Sequence, residues 1–155
     1  MATLGEVNDR AMAEADPYDL TRFLQAQRPV IDQVRHELMS GRKTSHWMWF
    51  VFPQLQGLGS SPTARRYAIR STNEARAYVV HPVLGVRLRE LTAVVNGLTG
   101  CSAHDIFGSP DDMKFHSSMT LFHAVAPDEP VFQAALERFF AGRRDEASLR
   151  LLGGG

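Results

Sequence analysis

Apolar residues at helical spacing constrain this chain more than any other feature of its sequence. The clearest run consists of Leu84, Leu88, Leu91, Val95 and Leu98. Intervals of three and four residues place such side chains on one face of a helix that packs against a core. Stretches that alternate apolar and polar residues, as half-buried strands do, are nearly absent. We therefore predict an all-α fold.

Further helix signals recur along the chain. Asp19 is positioned to cap a helix, and the motif STNE is a capping box in which Ser71 caps and Glu74 answers. Other apolar faces at helical spacing consist of Leu20, Phe23 and Leu24; Ile31, Val34 and Leu38; Phe115, Met119 and Phe122; and Phe132, Leu136 and Phe139. These signals predict a compact bundle of about seven or eight short to medium helices. We expect a flexible leader in residues 1–15, a single helical domain in 16–152 and a flexible glycine tail in 153–155.

Composition narrows the classes of function. The 155 residues have a formal net charge of zero, so the sequence gives no strong signal for nucleic acid. Cys101 is the one cysteine, which rules out an intramolecular disulfide and a cysteine-based metal cluster and favours the cytoplasm. The longest strongly apolar stretch, Trp47 to Phe52, is too short to span a bilayer. We expect no membrane association, no metal and no cofactor, and the sequence identifies no protein partner.

The segment GRKTSHWMWFVFPQ, residues 41–54, combines aromatic area with charge. Its large side chains face both sides whether the segment is helical or extended, which is typical of a buried core element. Its edges also allow a second interpretation, because cations, aromatic rings and an amide are what a nucleotide-like ligand requires. The candidate binding residues are Arg42, Lys43, His46, Trp47, Trp49 and Gln54. Both interpretations stay open.

A second candidate segment is DDMKFHSSM, residues 111–119. Ser109 as the cap and Pro110 at the first helical position would begin a helix here. The plainest interpretation is a capped helix with an ordinary ion pair between Asp111 and Lys114. Against it stands the pair Ser117–Ser118, since serine is a mediocre helix former. A pocket wall is the alternative, at which Asp112 and Lys114 would act in acid–base chemistry and Asp111, Ser117 and Ser118 would bind ligand.

The order of these strings also resembles a known family. RFLQAQ, GRKTSHWMWFVFPQLQGLGSSPTARRYAI, EARAYVVHPVLGVRLREL and IFGSPDDMKFHSSMTLF are similar to domain-of-unknown-function family 1810, an all-helical bacterial family, over residues 16–152. Its automatic label "calpastatin" does not fit, because calpastatin inhibits through disordered repeats. The chain also resembles, less specifically, the NADAR/YbiA-like domains, which act on ADP-ribose derivatives. That resemblance implies a ligand derived from ADP-ribose or NAD.

Three functions follow from these observations. In the first, an N-glycosidase acts on an ADP-ribose-like nucleotide. Trp47 or Trp49 stacks on the base, Arg42 and Lys43 hold the pyrophosphate, and Asp112 activates water or stabilises the oxocarbenium-like transition state. Lys114 and His46 then serve as the proton donor or electrostatic partner. In the second, the same residues bind the nucleotide without turnover. In the third, the chain is a protein–protein adaptor without a small ligand, which predicts an exposed apolar patch.

Overall fold

The computed structural model describes residues 16–153, which form ten helices and no strand. In chain order these are α1 (Thr21–Gln27), α2 (Ile31–Met39), α3 (Met48–Val51), α4 (Pro62–Arg66), α5 (Thr72–Val80), α6 (Leu84–Gly97), α7 (Ala103–Phe107), α8 (Asp111–Val125), α9 (Pro130–Phe140) and α10 (Glu146–Gly153). A single parallel bridge joins extended backbone at Leu55 and Ile69. The predicted all-α fold is confirmed, with slightly more helices than expected.

Helix α8 is the central element of the fold and packs against α5, α7, α9 and α10. Its predicted apolar stripe of Phe115, Met119 and Phe122 is fully buried. Phe115 meets Phe52 edge-on with ring centroids 5.1 Å apart, which joins α8 to the aromatic segment. Each fully buried side chain of this size contributes roughly 1.5–3 kcal/mol. This packing fixes the position of α8 and therefore of the polar side chains on its other side.

The first turns of α1 and α5 differ from the sequence prediction in their caps. Asp19 does not cap α1: the carboxylate of Asp16 accepts hydrogen bonds from the N–H groups of Leu20 and Thr21, at 2.7 and 2.9 Å. At α5, Ser71 Oγ accepts from the N–H of Glu74, as predicted. The Glu74 side chain does not turn back to Ser71, however, because it is buried in an ion pair. Only half of the predicted capping box forms.

Helix α8 also begins differently from the prediction. Ser109 is not its cap, and Pro110 precedes the helix instead of occupying its first position. The helix begins at Asp111, and the side chain of Asp112 accepts a hydrogen bond from the N–H of Met113 at 2.9 Å. The N–H of Asp112, which a cap at Ser109 could have bound, donates instead to the carbonyl of Gly108 at 2.8 Å.

Two short helices account for the larger number of elements. Helix α3 has four residues, within the aromatic segment, and α7 has five, so neither is long enough to show a helical period. Helix α7 does have a full capping box, in which Ser102 and Asp105 each accept from the other's backbone N–H. That motif was the available sequence signal for α7.

A buried ion pair connects α1 to α5. Arg22 and Glu74 are 2.9 Å apart and only 5% and 2% exposed. All five N–H donors of the Arg22 guanidinium have acceptors: the Glu74 carboxylate and the backbone carbonyls of Tyr18, Asp19, Arg66 and Ala68, at 2.7–2.9 Å. A buried charge is tolerable only when it is paired and hydrogen-bonded in this way.

The described residues, 16–153, stop short of both ends of the chain. The predicted leader, residues 1–15, and residues 154–155 of the predicted glycine tail lie outside the described residues, while Gly153 ends α10. Within residues 16–153, no helix combines the length and apolar character that crossing a membrane requires.

We expect Glu74→Gln to destabilise the fold by about 3 kcal/mol, because it leaves the buried Arg22 charge without its carboxylate. Glu90→Gln is the matched control, since Glu90 pairs with Arg35 at a half-exposed position and such pairs contribute about 0–1 kcal/mol. Urea denaturation at pH 7 measures both free energies of unfolding. Equal losses of unfolding free energy for the two variants would show that the buried pair stabilises the fold no more than the exposed pair.

Candidate functional site

One buried carboxylate fixes the start of the aromatic segment. Glu37 Oε1 accepts from the N–H groups of Thr44 and Ser45 at 2.7 and 3.0 Å and from the indole N–H of Trp47 at 3.0 Å. Its other oxygen accepts from the Ser45 hydroxyl and from Gln33. Burial alone would raise the pKa of Glu37, but these hydrogen bonds outweigh it and lower the pKa to about 2.

The two candidate segments meet in space. Lys43 Nζ lies 2.7 Å from Asp111 Oδ2, and Lys114 Nζ lies 5.0 Å from the centre of the Trp49 ring. Lys114 is also 3.7 Å from the other oxygen of Asp111. Asp111 therefore stands between two ammonium groups, one from each segment. The expected Asp111–Lys114 pair is present, and the closer partner of Asp111 is Lys43.

The two segments border a cleft of about 500 Å³ between α8, α4 and the start of α10, which we call the α8 cleft. Its walls include three of the predicted site residues, Gln54, Lys114 and Ser117. The remaining lining residues are Leu58, Gly59, Ser60, Ser61, Ala64, Pro110, Met113, Asp145 and Ala147. Its volume and its mixture of apolar walls with a few polar groups are typical of small-molecule sites.

Asp145 supplies the carboxylate of the α8 cleft. Its Oδ2 accepts from Ser148 Oγ at 2.6 Å, from Ser148 N–H at 3.0 Å and from Ser117 Oγ at 3.2 Å. Burial pushes the pKa of Asp145 upward, but these hydrogen bonds and the nearby His116 outweigh it and lower the pKa below its ordinary value. The carboxylate is therefore ionised at neutral pH.

Neither tryptophan offers an open surface on which a base could stack in this conformation. Trp49 is half-buried and lines a crevice of about 10 Å³ beside Tyr67 and Lys114. This crevice has room for about one water molecule. The Lys114 ammonium lies over the Trp49 ring. Trp47 is 1% exposed, with its indole N–H on Glu37. In this conformation Trp49 orients a cation, and Trp47 belongs to the core.

The other predicted site residues lie outside the cleft lining. Arg42 and His46 are exposed on the loop before α3, and Lys43 is buried against Asp111. Asp112 faces His104, with Oδ2 and Nδ1 3.4 Å apart. Ser118 is fully buried, and its hydroxyl has no hydrogen-bond partner among the described residues. The structure thus brings Gln54, Lys114 and Ser117 together on the cleft. The other eight predicted site residues, these five together with Trp47, Trp49 and Asp111, lie outside its lining.

Asp145 and Glu37 were not among the residues chosen from the sequence. Asp145 immediately precedes α10, and Ser148 follows three residues later, an arrangement typical of a helix cap. That pattern could have located Asp145 as a cap but not at a cleft. Glu37 lies inside α2, and its one local partner, Gln33, is an ordinary helical neighbour. Its partners in the aromatic segment are seven to ten residues away, so no local pattern marks it. Among residues 16–153 no group of three metal-ligating side chains could hold an ion.

These observations define a small all-helical protein with a polar cleft on its central helix. The chain belongs to the family described as "Protein of unknown function (DUF1810)", whose model matches residues 17–152, as its sequence strings predicted. It is 52% identical to the conserved hypothetical protein Rv1873 from Mycobacterium tuberculosis. That crystal structure superposes with a TM-score of 0.88 and covers 89% of this chain and 99% of its own. No curated protein matches the chain significantly.

Acid should weaken the anchor of the aromatic segment in a defined pH window. The folded-state pKa of Glu37 is depressed from 4.5 to about 2, so its contribution is present above pH 4.5 and is lost as the pH falls toward 2. A shift of this size corresponds to about 3 kcal/mol. We expect Glu37→Gln to be less stable than wild type by about that amount at pH 7 and by little near pH 2.

Urea denaturation across pH 2–7 measures this difference. Glu137→Gln is the control, because Glu137 is exposed on α9 and its replacement should leave the pH dependence of stability unchanged. A constant difference between wild type and Glu37→Gln over the whole range would contradict the role given to the Glu37 carboxylate.

Proposed function

We propose that the α8 cleft binds a small anionic nucleotide of the ADP-ribose or NAD class. The observation that carries this proposal is the convergence of both candidate segments on one cleft, to which one segment contributes Gln54 and the other contributes Lys114 and Ser117. A cation, an amide, hydroxyl groups and a carboxylate there offer partners for phosphate, base and sugar. The resemblance to NADAR-like domains supports the same class of ligand.

Lys114 is the phosphate-binding group in this proposal. Its side chain is 23% exposed and its ammonium is positioned by the Trp49 ring and by Asp111. A partly desolvated ammonium forms stronger hydrogen bonds to phosphate than a fully solvated one. Phosphate at Lys114 would place the rest of the ligand along the wide part of the cleft. There Leu58 and Met113 offer apolar surface for a base.

Hydrolysis of an N-glycosidic bond extends the proposal from binding to catalysis. Such an enzyme requires a carboxylate that activates water or stabilises positive charge on the sugar. Asp112, to which the sequence assigned that role, faces His104, whereas Asp145 lines the cleft and is ionised. Asp145 is therefore the carboxylate to which we assign this chemistry. Binding without turnover requires the same residues and remains the simpler form of the proposal.

A protein–protein adaptor is the alternative function. Three valines at the junction of α5 and α6 favour it: Val80, Val83 and Val86 are 78%, 38% and 47% exposed. Exposed apolar side chains close together in the chain are typical of interaction surfaces. The adaptor needs no ligand in the α8 cleft, so a ligand-binding measurement separates the two functions.

Ligand binding should be visible in tryptophan fluorescence, because Trp49 contacts Lys114 at the cleft and the other tryptophan is buried. We expect ADP-ribose, NAD or AMP to change the emission of wild type and of Trp47→Phe. The change should disappear in Trp49→Phe. A thermal-shift measurement on the same samples gives an independent reading, since ligand at a hundred times its dissociation constant adds about 2.7 kcal/mol.

We expect Lys114→Met to weaken nucleotide binding about 10- to 100-fold, because a hydrogen bond to a charged group contributes about 1.5–3 kcal/mol. Methionine keeps an apolar stem beside Trp49 and removes the charge. Arg150→Met is the control, since Arg150 is an exposed cation outside the cleft lining. Absence of binding by all three nucleotides would overturn the proposed function and favour the adaptor. Equal binding by wild type and Lys114→Met would show that Lys114 does not contact the nucleotide.

A further inference from the structure

Only one of the two carboxylate oxygens of Asp145 accepts hydrogen bonds among the described residues. All three of its side-chain hydrogen bonds, from Ser117 and from the hydroxyl and N–H of Ser148, reach Oδ2. Among the described residues Oδ1 has no hydrogen-bond partner, and Asp145 lines the α8 cleft. An ionised carboxylate oxygen of this kind accepts hydrogen bonds and donates none. It therefore suits a ligand that presents hydroxyl groups.

Helix α8 holds Asp145 rigidly in this position. The Asp145 N–H donates to Thr120 Oγ1 at 2.9 Å, and the Thr120 hydroxyl donates to the carbonyl of His116 at 2.9 Å. The His116 ring stacks on Phe140 with centroids 4.0 Å apart, and its Nε2 lies 2.7 Å from the carbonyl of Arg143. Both the backbone and the side chain of Asp145 are thus tied to one helix. An acceptor that is fixed in advance loses little conformational entropy when a ligand binds.

We infer that Asp145 determines specificity in the α8 cleft by accepting hydrogen bonds from the sugar hydroxyls of the ligand, so that the cleft prefers ribosyl over deoxyribosyl compounds. This inference rests on the proposed function. Lys114, Ser117 and Asp145 line the same cleft, and Ser117 donates a hydrogen bond to Asp145. A sugar phosphate offers a phosphate for Lys114 and hydroxyl groups for Asp145.

Helix capping alone does not account for this arrangement. Asp145 precedes α10, and its Oδ2 accepts from the N–H of Ser148 as a cap would. A cap needs only Oδ2, however, and Oδ1 has no hydrogen-bond partner among the described residues. Asparagine caps helices as well as aspartate does. The substitution Asp145→Asn therefore keeps the cap and removes the charge from the cleft.

The test measures the affinity of ADP-ribose and of its analogues that lack the 2-hydroxyl of either ribose. Calorimetric titrations use wild type, Asp145→Asn and the control Asp128→Asn, which changes an exposed carboxylate outside the cleft lining. We expect wild type to bind one of the deoxy analogues at least tenfold more weakly than ADP-ribose. Asp145→Asn should bind ADP-ribose at least tenfold more weakly and discriminate less between the compounds.

The direction of the Asp145→Asn effect is decisive. If Asp145 does not contact the ligand, loss of its negative charge should leave unchanged or strengthen the binding of an anion. Unchanged or tighter binding by Asp145→Asn, or equal binding of all three compounds by wild type, would overturn the specificity role and leave the proposed function intact. No binding of ADP-ribose, NAD or AMP by wild type would overturn both. Asp145→Asn should be less stable than wild type at pH 7, because the depressed pKa of Asp145 means that its ionised form stabilises the fold. A single cooperative transition in urea verifies that the variant is still folded.

Discussion

The buried guanidinium of Arg22 is the interaction on which much of this structure depends. A desolvated cation is costly, and its cost is offset here because all five donors have acceptors. Two of those acceptors, the carbonyls of Arg66 and Ala68, lie just before Ile69, whose N–H donates to the carbonyl of Gln54 at 2.9 Å. A continuous series of hydrogen bonds thus leads from the core of the fold to a residue on the wall of the α8 cleft.

Helix α8 combines the two requirements of a site, a fixed base and an accessible polar face. Phe115, Met119 and Phe122 bury one side of it. On the other side Lys114 and Ser117 line the cleft, and Thr120 holds the backbone of Asp145. The same helix therefore contributes polar groups of its own to the cleft and positions the carboxylate of Asp145, which belongs to another segment.

The long elements of this fold were predictable from sequence, and several of their ends were not. Apolar spacing located α6, α8 and α9, because periodicity persists over their two or more turns. The caps of α1 and α8 were assigned to the wrong residues, since several nearby carboxylates and hydroxyls compete for the same N–H groups. Lys114, Ser117 and Gln54, which line the cleft, could be selected as candidates because they lie in strings that combine charge, hydroxyl groups and aromatic residues. Asp145 and the burial of Trp47 depend on contacts distant in sequence, which no local pattern records.

The position of Asp111 between two ammonium groups has a consequence for the electrostatics of the cleft. Lys43 lies 2.7 Å from one oxygen of Asp111, while Lys114 lies 3.7 Å from the other. A phosphate that approaches Lys114 would replace the weaker of these two contacts, and Asp111 would keep Lys43 as its counter-ion. The exchange leaves no carboxylate unpaired. Asp111 thus balances the charge of Lys114 within the protein and helps to hold the ammonium group in place.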